Sequence, residues 1–198
     1  MSTLITQTLL SSWLYTYKDY DSSPKAYESF LSTLYRMPHV ITRAMQNGID
    51  FENMITSYCD DKPIEPSKWS DAAKSISEIV KGGQFQVPAK KSMIIDDMEL
   101  LLYGRLDCLK AGVIYDMKFT SSYKVGKYYY SPQHPMYMEI VPEAQMFQYL
   151  ISNGKDVWIE NYNREECEPI KSIIHDFIIY LKGHGLFDKY MDIWESKY

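Results

Sequence analysis

Between Leu100 and Thr120 the sequence reads as two strands, Leu100 to Leu109 and Gly112 to Thr120, joined by the short hairpin turn Lys110-Ala111-Gly112. In the second strand Val113, Tyr115, Met117 and Phe119 point one way, and Ile114, Asp116, Lys118 and Thr120 the other. Asp116 and Lys118 therefore share a face, about 7 Å apart along the strand. Asp107 stands on the first strand, so the hairpin can bring two carboxylates side by side. Two such groups repel each other and are costly to bring together unless a divalent cation sits between them. Mg²⁺ takes one or two carboxylates plus waters and phosphate oxygens. A lysine at its flank is suited to orient or deprotonate a water and to stabilise the charge that builds on an attacked phosphate.

The rest of the chain frames this hairpin. Ser23-Pro24 reads as a helix cap, and Tyr27, Phe30, Leu31, Leu34 and Tyr35 follow at helical spacing. Further helices are predicted over His39 to Tyr58, Pro66 to Lys81 (stopped by Gly82-Gly83) and Pro142 to Leu150 (closed by Gly154). Two more are predicted from Pro169 onward and over Leu186 to Trp194. Gly48, inside the second, suggests close packing or a break, because glycine costs a helix about 1 kcal/mol. Gln84 to Val87, Ser92 to Ile95 and Asp156 to Tyr162 read as strands, and Ser121 to Pro135 as a polar, tyrosine-rich loop. Helices, meander, helix, strand, helices is the order of a mixed sheet flanked by helices, an α/β sandwich. With 198 residues one domain is expected, with N-terminal helices over 1–83, a sheet core over 84–165 and C-terminal helices over 166–198.

Charge narrows the partners. The chain carries a formal net charge of −5, which argues mildly against a general nucleic-acid binder. Arg105, Lys110, Lys118, Lys124 and Lys127 nevertheless outnumber Asp107 and Asp116 between residues 105 and 130, so any phosphate contact is expected there. Lys124 to Tyr130 holds two lysines and three consecutive tyrosines. It reads either as a clamp for single-stranded nucleic acid or as a loop whose rings pack on the domain. The three cysteines, Cys59, Cys108 and Cys167, are scattered and read as buried free thiols. With no apolar run of about 18 residues and no signal-peptide pattern, the expected location is the cytosol, and no membrane partner is expected.

Gly104-Arg105-Leu106-Asp107 followed by Ile114-Tyr115-Asp116-Met117-Lys118 resembles the GxxD and (D/E)xK motifs of PD-(D/E)XK nucleases. Gln145-Met146-Phe147-Gln148-Tyr149 resembles the QxxxY motif of their RecB-like exonuclease branch. Gly48-Ile49-Asp50-Phe51-Glu52 resembles the upstream helical motif, with glutamate at its end as in phage lambda-type and YqaJ-like exonucleases. Other copies of these patterns exist. Asp60–Lys62 falls in a linker and Glu195–Lys197 at the end of the chain. Gly185–Asp188 repeats GxxD. Gln133–Tyr137 repeats QxxxY, but Pro135 inside it argues against a regular helix.

The resemblance implies a restriction-endonuclease-like core and a Mg²⁺- or Mn²⁺-dependent deoxyribonuclease with one or two ions. Glu52, Asp107 and Asp116 would be metal ligands, with the backbone carbonyl of Met117. Lys118 would be the catalytic lysine, and Gln145 and Tyr149 would orient it or touch the phosphate backbone. Arg105, Lys124, Lys127, Tyr128 and Tyr129 are the expected DNA contacts. An exonuclease on linear DNA in recombination, repair or phage replication is implied, in a bacterial cell or phage-infected host. By the same analogy its partners would include a recombinase or single-strand annealing protein, or further copies of the chain. The three scattered cysteines exclude the four-cysteine iron–sulfur cluster of the CRISPR-associated and AddB-type relatives.

Simpler readings stand beside these. Asp107 and Asp116 also read as strand-end acids paired with Arg105 and Lys118, a pairing that contributes only about 0–1 kcal/mol at a surface. Glu52 also reads as a solvated helix residue, and Gln145 and Tyr149 as a surface hydrogen-bonding pair. An endonuclease, or a non-catalytic binding protein on the same scaffold, would show the same residues.

Overall fold

The computed structural model describes residues 2–18 and 24–196. Ser23 and Lys197, named in the cap and terminal motif above, lie outside the described residues. In chain order the elements are β1 (Thr3–Thr6), α1 (Gln7–Lys18), α2 (Pro24–Leu34), α3 (Arg43–Cys59), α4 (Ser70–Val80), β2 (Gln84–Ile95) and β3 (Met98–Lys110). There follow β4 (Val113–Phe119), α5 (Gln133–Ile140), β5 (Met146–Ser152), β6 (Val157–Asn163), α6 (Ile170–Gly183) and α7 (Phe187–Ile193).

The six strands among the described residues form one mixed sheet, built on β3. Along one edge β3 pairs antiparallel with β2 over almost its whole length, Gln84↔Leu109 to Ile95↔Met98. Its other edge is shared. β1 runs parallel beside Leu100–Tyr103, and β4 pairs antiparallel with Cys108–Lys110 alone. Among the described residues, 104–107 therefore have no strand partner on that edge, and the sheet forks there. From β4 the sheet continues to β5, parallel, and to β6, antiparallel.

Helices cover both faces, as the order of predicted elements implies. Leu102, Ile114 and Phe147 meet Leu9, Phe30, Met136 and Phe177 in the larger core, beneath α1, α2, α5, α6 and α7. Tyr115, Met117 and Leu150 meet Phe51, Ile55, Ile76 and Val80 beneath α3 and α4. Alternation along β4 thus sends Asp116 and Lys118 to the same face as Ile114, toward α5.

Several predicted elements change. Residues 146–152 are strand β5, not a helix: Phe147, Tyr149 and Ile151 alternate with period two, and the β4 ladder takes the segment up. Gly154 accordingly sits in the turn to β6 at φ +91°, its α-carbon against the Trp69 ring. Residues 84–95 form one strand, not two. Pro88 is accommodated because β2 pairs only with β3, which leaves its other edge free of the ladder. The region read as purely helical contributes β1, four residues too short to show a period. The tyrosine-rich loop ends in α5. Helix α3 runs unbroken through Gly48, where an added Cβ would meet nothing within 4 Å, so neither close packing nor a break explains that glycine. Cys108 is buried, whereas Cys59 and Cys167 are only half-buried. Among the described residues no helix is long and apolar enough to cross a membrane.

Candidate active site in the fork between β3 and β4

Pairing of β3 with β4 stops after Cys108↔Tyr115, and the next facing residues are Asp107 and Asp116. Side chains replace the missing ladder. Asp107 Oδ2 accepts the Met117 backbone N–H at 2.8 Å. On the exposed length of β3, the Tyr137 hydroxyl donates to the Arg105 carbonyl at 3.2 Å. That contact brings the Tyr137 ring onto the α-carbon of Gly104, where any Cβ would overlap it. The glycine of the Gly104–Asp107 motif is therefore fixed by the approach of α5.

Asp116 is buried at 1% exposure. Its Oδ1 accepts from Gln133 Nε2, on the first turn of α5. Its Oδ2 lies 2.6 Å from Lys118 Nζ, in an ion pair whose angle does not amount to a hydrogen bond. Burial disfavours the Lys118 ammonium, but Asp116 and Asp107 outweigh it, and its pKa rises. The opposite face contributes Glu52 from α3, held by Gln86 Nε2 of β2. Gln86 lies between the registered pairs Phe85↔Cys108 and Val87↔Leu106 and adopts a left-handed φ of +52°, a strained backbone for a non-glycine residue.

Two of the three acids are shifted by burial and by their neighbours. Burial pushes the Asp107 carboxyl well above its ordinary value, and Asp116 and Glu52 add to the rise. Burial, and next the Asp116 charge, also raise Glu52, against the pull of Lys118, Gln86 and Arg105. Negative charge is thus concentrated where the strands part, with one ammonium to balance it.

Not every expected residue is here. Gln145 is exposed beside the hairpin turn, its N–H bonded to the Gly112 carbonyl at 2.8 Å, at the end of β4 away from Asp116. Tyr149 does reach the site, but from a strand: it lies directly across the β4–β5 ladder from Asp116. It stacks on Tyr128 at 4.6 Å and meets His134 Nδ1 through its hydroxyl at 3.2 Å. The QxxxY copy whose glutamine and tyrosine both bond to the fork is the one with the proline. Pro135 is the third residue of α5, where a backbone N–H has no intrahelical acceptor to lose. Gln133 and Tyr137 are one helical turn apart and reach Asp116 and Arg105 respectively. The spacing was visible in the sequence; the position of the proline within its helix was not.

Of the expected DNA contacts, Arg105 is exposed on β3 and its charge bears on Glu52. Lys124 and Lys127 lie on the exposed turn before α5, Lys127 Nζ donating to Thr120 Oγ1 at 2.9 Å. Tyr128 is half-buried against Tyr149, while Tyr129 is 57% exposed and edge-on to Tyr130.

The architecture has a precedent. The solved structure of a protein called SSO0001 superposes with a TM-score of 0.55 over 91% of this chain and 77% of its own, at 12% sequence identity. At that identity the likeness shows the fold alone. No protein-family model matches the chain, and no curated protein matches it.

The residues of the fork suit a hard divalent cation. The donors are carboxylate oxygens, Asp116 Oδ2 is a buried oxygen without a hydrogen bond, and burial followed by the Asp116 charge raises the pKa of Asp107 and Glu52. Among the described residues no three acidic, histidine or cysteine side chains already stand gathered around a metal position. Asp116 is turned to Lys118 and Gln133 instead, and an ion would compete with the lysine for Oδ2.

Proposed function

We propose that this chain is a metal-dependent DNA nuclease with a restriction-endonuclease-like core, acting as an exonuclease on linear DNA. The observation that carries the reading is the fork itself. A sheet interrupts its own hydrogen bonding to set Asp107 against Asp116, admits Glu52 from the opposite layer, and places Lys118 beside them. As a purely structural arrangement this is unfavourable, because burying acids that repel one another costs stability. Asp107, Asp116 and Glu52, with the Met117 carbonyl, would hold Mg²⁺ or Mn²⁺. When bound, the ion supplies Lewis-acid stabilisation of phosphate charge and lowers the pKa of a water.

The chain's own groups do the rest. Asp116 keeps Lys118 in its ammonium form, so the lysine serves as a charge stabiliser and proton donor rather than as a base. Gln133 fixes one oxygen of the Asp116 carboxylate and leaves the other toward Lys118, where it would be the oxygen offered to an ion. Arg105, Lys124 and Lys127 supply positive charge for the phosphate backbone. In the reaction water adds its oxygen to phosphorus, the P–O3′ bond breaks, and the proton lost by the water ends on the 3′ oxygen.

Purified protein should degrade linear DNA with Mg²⁺ or Mn²⁺ and not in EDTA. Asp116→Ala and Lys118→Ala should each lower the rate by at least about 100-fold. Full activity in both variants would move the chemistry elsewhere. Cleavage of closed circular DNA as fast as linear would make the enzyme an endonuclease.

A further inference from the structure

Three cavities share the tyrosine loop that precedes α5. One, of about 240 Å³, lies between His134, Tyr162 and Cys167, and includes Glu166 and Glu168. A second, of about 830 Å³, runs along β6 past Trp158 and includes Glu160 and Glu166. Both walls are acidic and repel a phosphodiester chain. The third differs. It measures about 320 Å³, is bordered by Lys118 and Lys127, and among the described residues has no carboxylate in its lining. One wall is the stripe Gln7, Ser11 and Tyr15, at successive i, i+4 positions of α1, and the other is Tyr128 with Tyr130.

Its size is at the low end for small-ligand sites, ~300–1,000 Å³, and suits one nucleotide rather than a duplex. Its chemistry suits a nucleotide as well. Tyr15 and Tyr130 present faces that are 63% and 68% exposed. Lys127 has no carboxylate within ion-pair distance among the described residues, so its charge is available to a phosphate. Gln7 and Ser11, joined by a 2.8 Å hydrogen bond, offer polar edges to a base or sugar. Because Lys118 borders both this cavity and the fork, a nucleotide seated here has its linking phosphate at the proposed reaction centre.

We infer that this cavity seats the single unpaired nucleotide next to the scissile phosphate, stacked on Tyr15 or Tyr130, so that the substrate is the terminus of single-stranded DNA. A base can stack on these rings only after it has left its own stack, which a blunt duplex end resists. The inference rests on the nuclease reading for the scissile phosphate, but its test reads binding.

The decisive measurement is fluorescence anisotropy in Ca²⁺ with a short thymidylate oligonucleotide and a blunt duplex of equal length. The single strand should bind more tightly. Tyr15→Ala or Tyr130→Ala should weaken it by about 5- to 150-fold, the factor a stacked base is worth, with unchanged thermal melting. Lys127→Gln should flatten the salt dependence of log K by about 0.7. A 2-aminopurine should be quenched at a strand terminus and not in the middle. Absence of single-strand binding, equal affinity for the duplex, or wild-type affinity in both tyrosine variants overturns the inference, even if cleavage persists. Tyrosine-dependent binding without hydrolysis in Mg²⁺ or Mn²⁺ would sink the nuclease reading and leave the nucleotide seat standing.

Discussion

The two ends of the β3–β4 pair are built by opposite rules. At the hairpin end Cys108, Leu109 and Lys110 meet Tyr115, Ile114 and Val113 in an ordinary backbone ladder, flanked by apolar contacts. One residue further along, the ladder gives way to side-chain bonds: Asp107 to the Met117 N–H, Tyr137 to the Arg105 carbonyl, Gln133 to Asp116. The first end would be stable in any sheet. The second holds repelling acids and a lysine in a fixed relation, and there four residues of β3 lack strand pairing on one edge while the other edge stays on β2. Stability and chemistry are thus separated by a single step along two strands.

The sharpest way to break this contrast is to compare two glutamines. Gln133 grips Asp116 at the fork, whereas Gln145 sits at the hairpin end beside Gly112. Gln133→Ala should lower nuclease activity by about 10–100-fold, the range for groups that orient metal ligands. Gln145→Ala should leave activity within a factor of two or so of wild type. The reverse result would place the functional motif on β5 and the fork outside the mechanism.

A second test acts on the stitching itself. Gly104→Ala pushes a methyl group into the Tyr137 ring, so either the ring or α5 must shift. Overpacking of this kind costs about 1–3 kcal/mol, and for a chain of this length each 1 kcal/mol moves Tm by about 2–4 °C. Tyr137→Ala would vacate the ring position. The double variant should therefore be less destabilised than the sum of the two single changes. Strict additivity in thermal unfolding would show that the glycine is not there for the tyrosine.

How far the sequence foretold this depends on which interactions decide each element. The α/β sandwich, the hairpin and the shared face of Asp116 and Lys118 follow from periodicity, which is local. The segment 142–150 did not. Gln145 and Tyr149 fit a helix by spacing, yet Phe147, Tyr149 and Ile151 fit a strand equally, and only pairing with β4 decides between them. For α5 the error ran the other way. Pro135 is disruptive within a helix but harmless in its first turn, and the helix is held by burial of seven of its eight residues and by the Asp116 contact of Gln133, which are tertiary. The cavity beside Lys118 could not be read either, since its walls come from α1 and from a loop more than a hundred residues later.

The gentlest prediction concerns the cost of the acids themselves. In the unfolded chain Asp107 titrates near its ordinary value of 3.8, and in the folded chain at a higher pH, through burial first and the Asp116 charge second. Between those two values the folded state binds more protons than the unfolded one, so stability falls as pH rises through that window. Below the ordinary value the difference disappears. Asp107→Asn removes this titration while keeping an oxygen that can accept the Met117 N–H. In EDTA the variant should therefore melt above the wild type at neutral pH, and the two curves should converge as pH falls toward 4. Mg²⁺ should raise the wild-type Tm and raise that of the variant less, since a ligand that binds only the folded state stabilises in proportion to its affinity. A metal-free wild type that is the more stable protein at neutral pH would mean that the fork tolerates its charges without a cation.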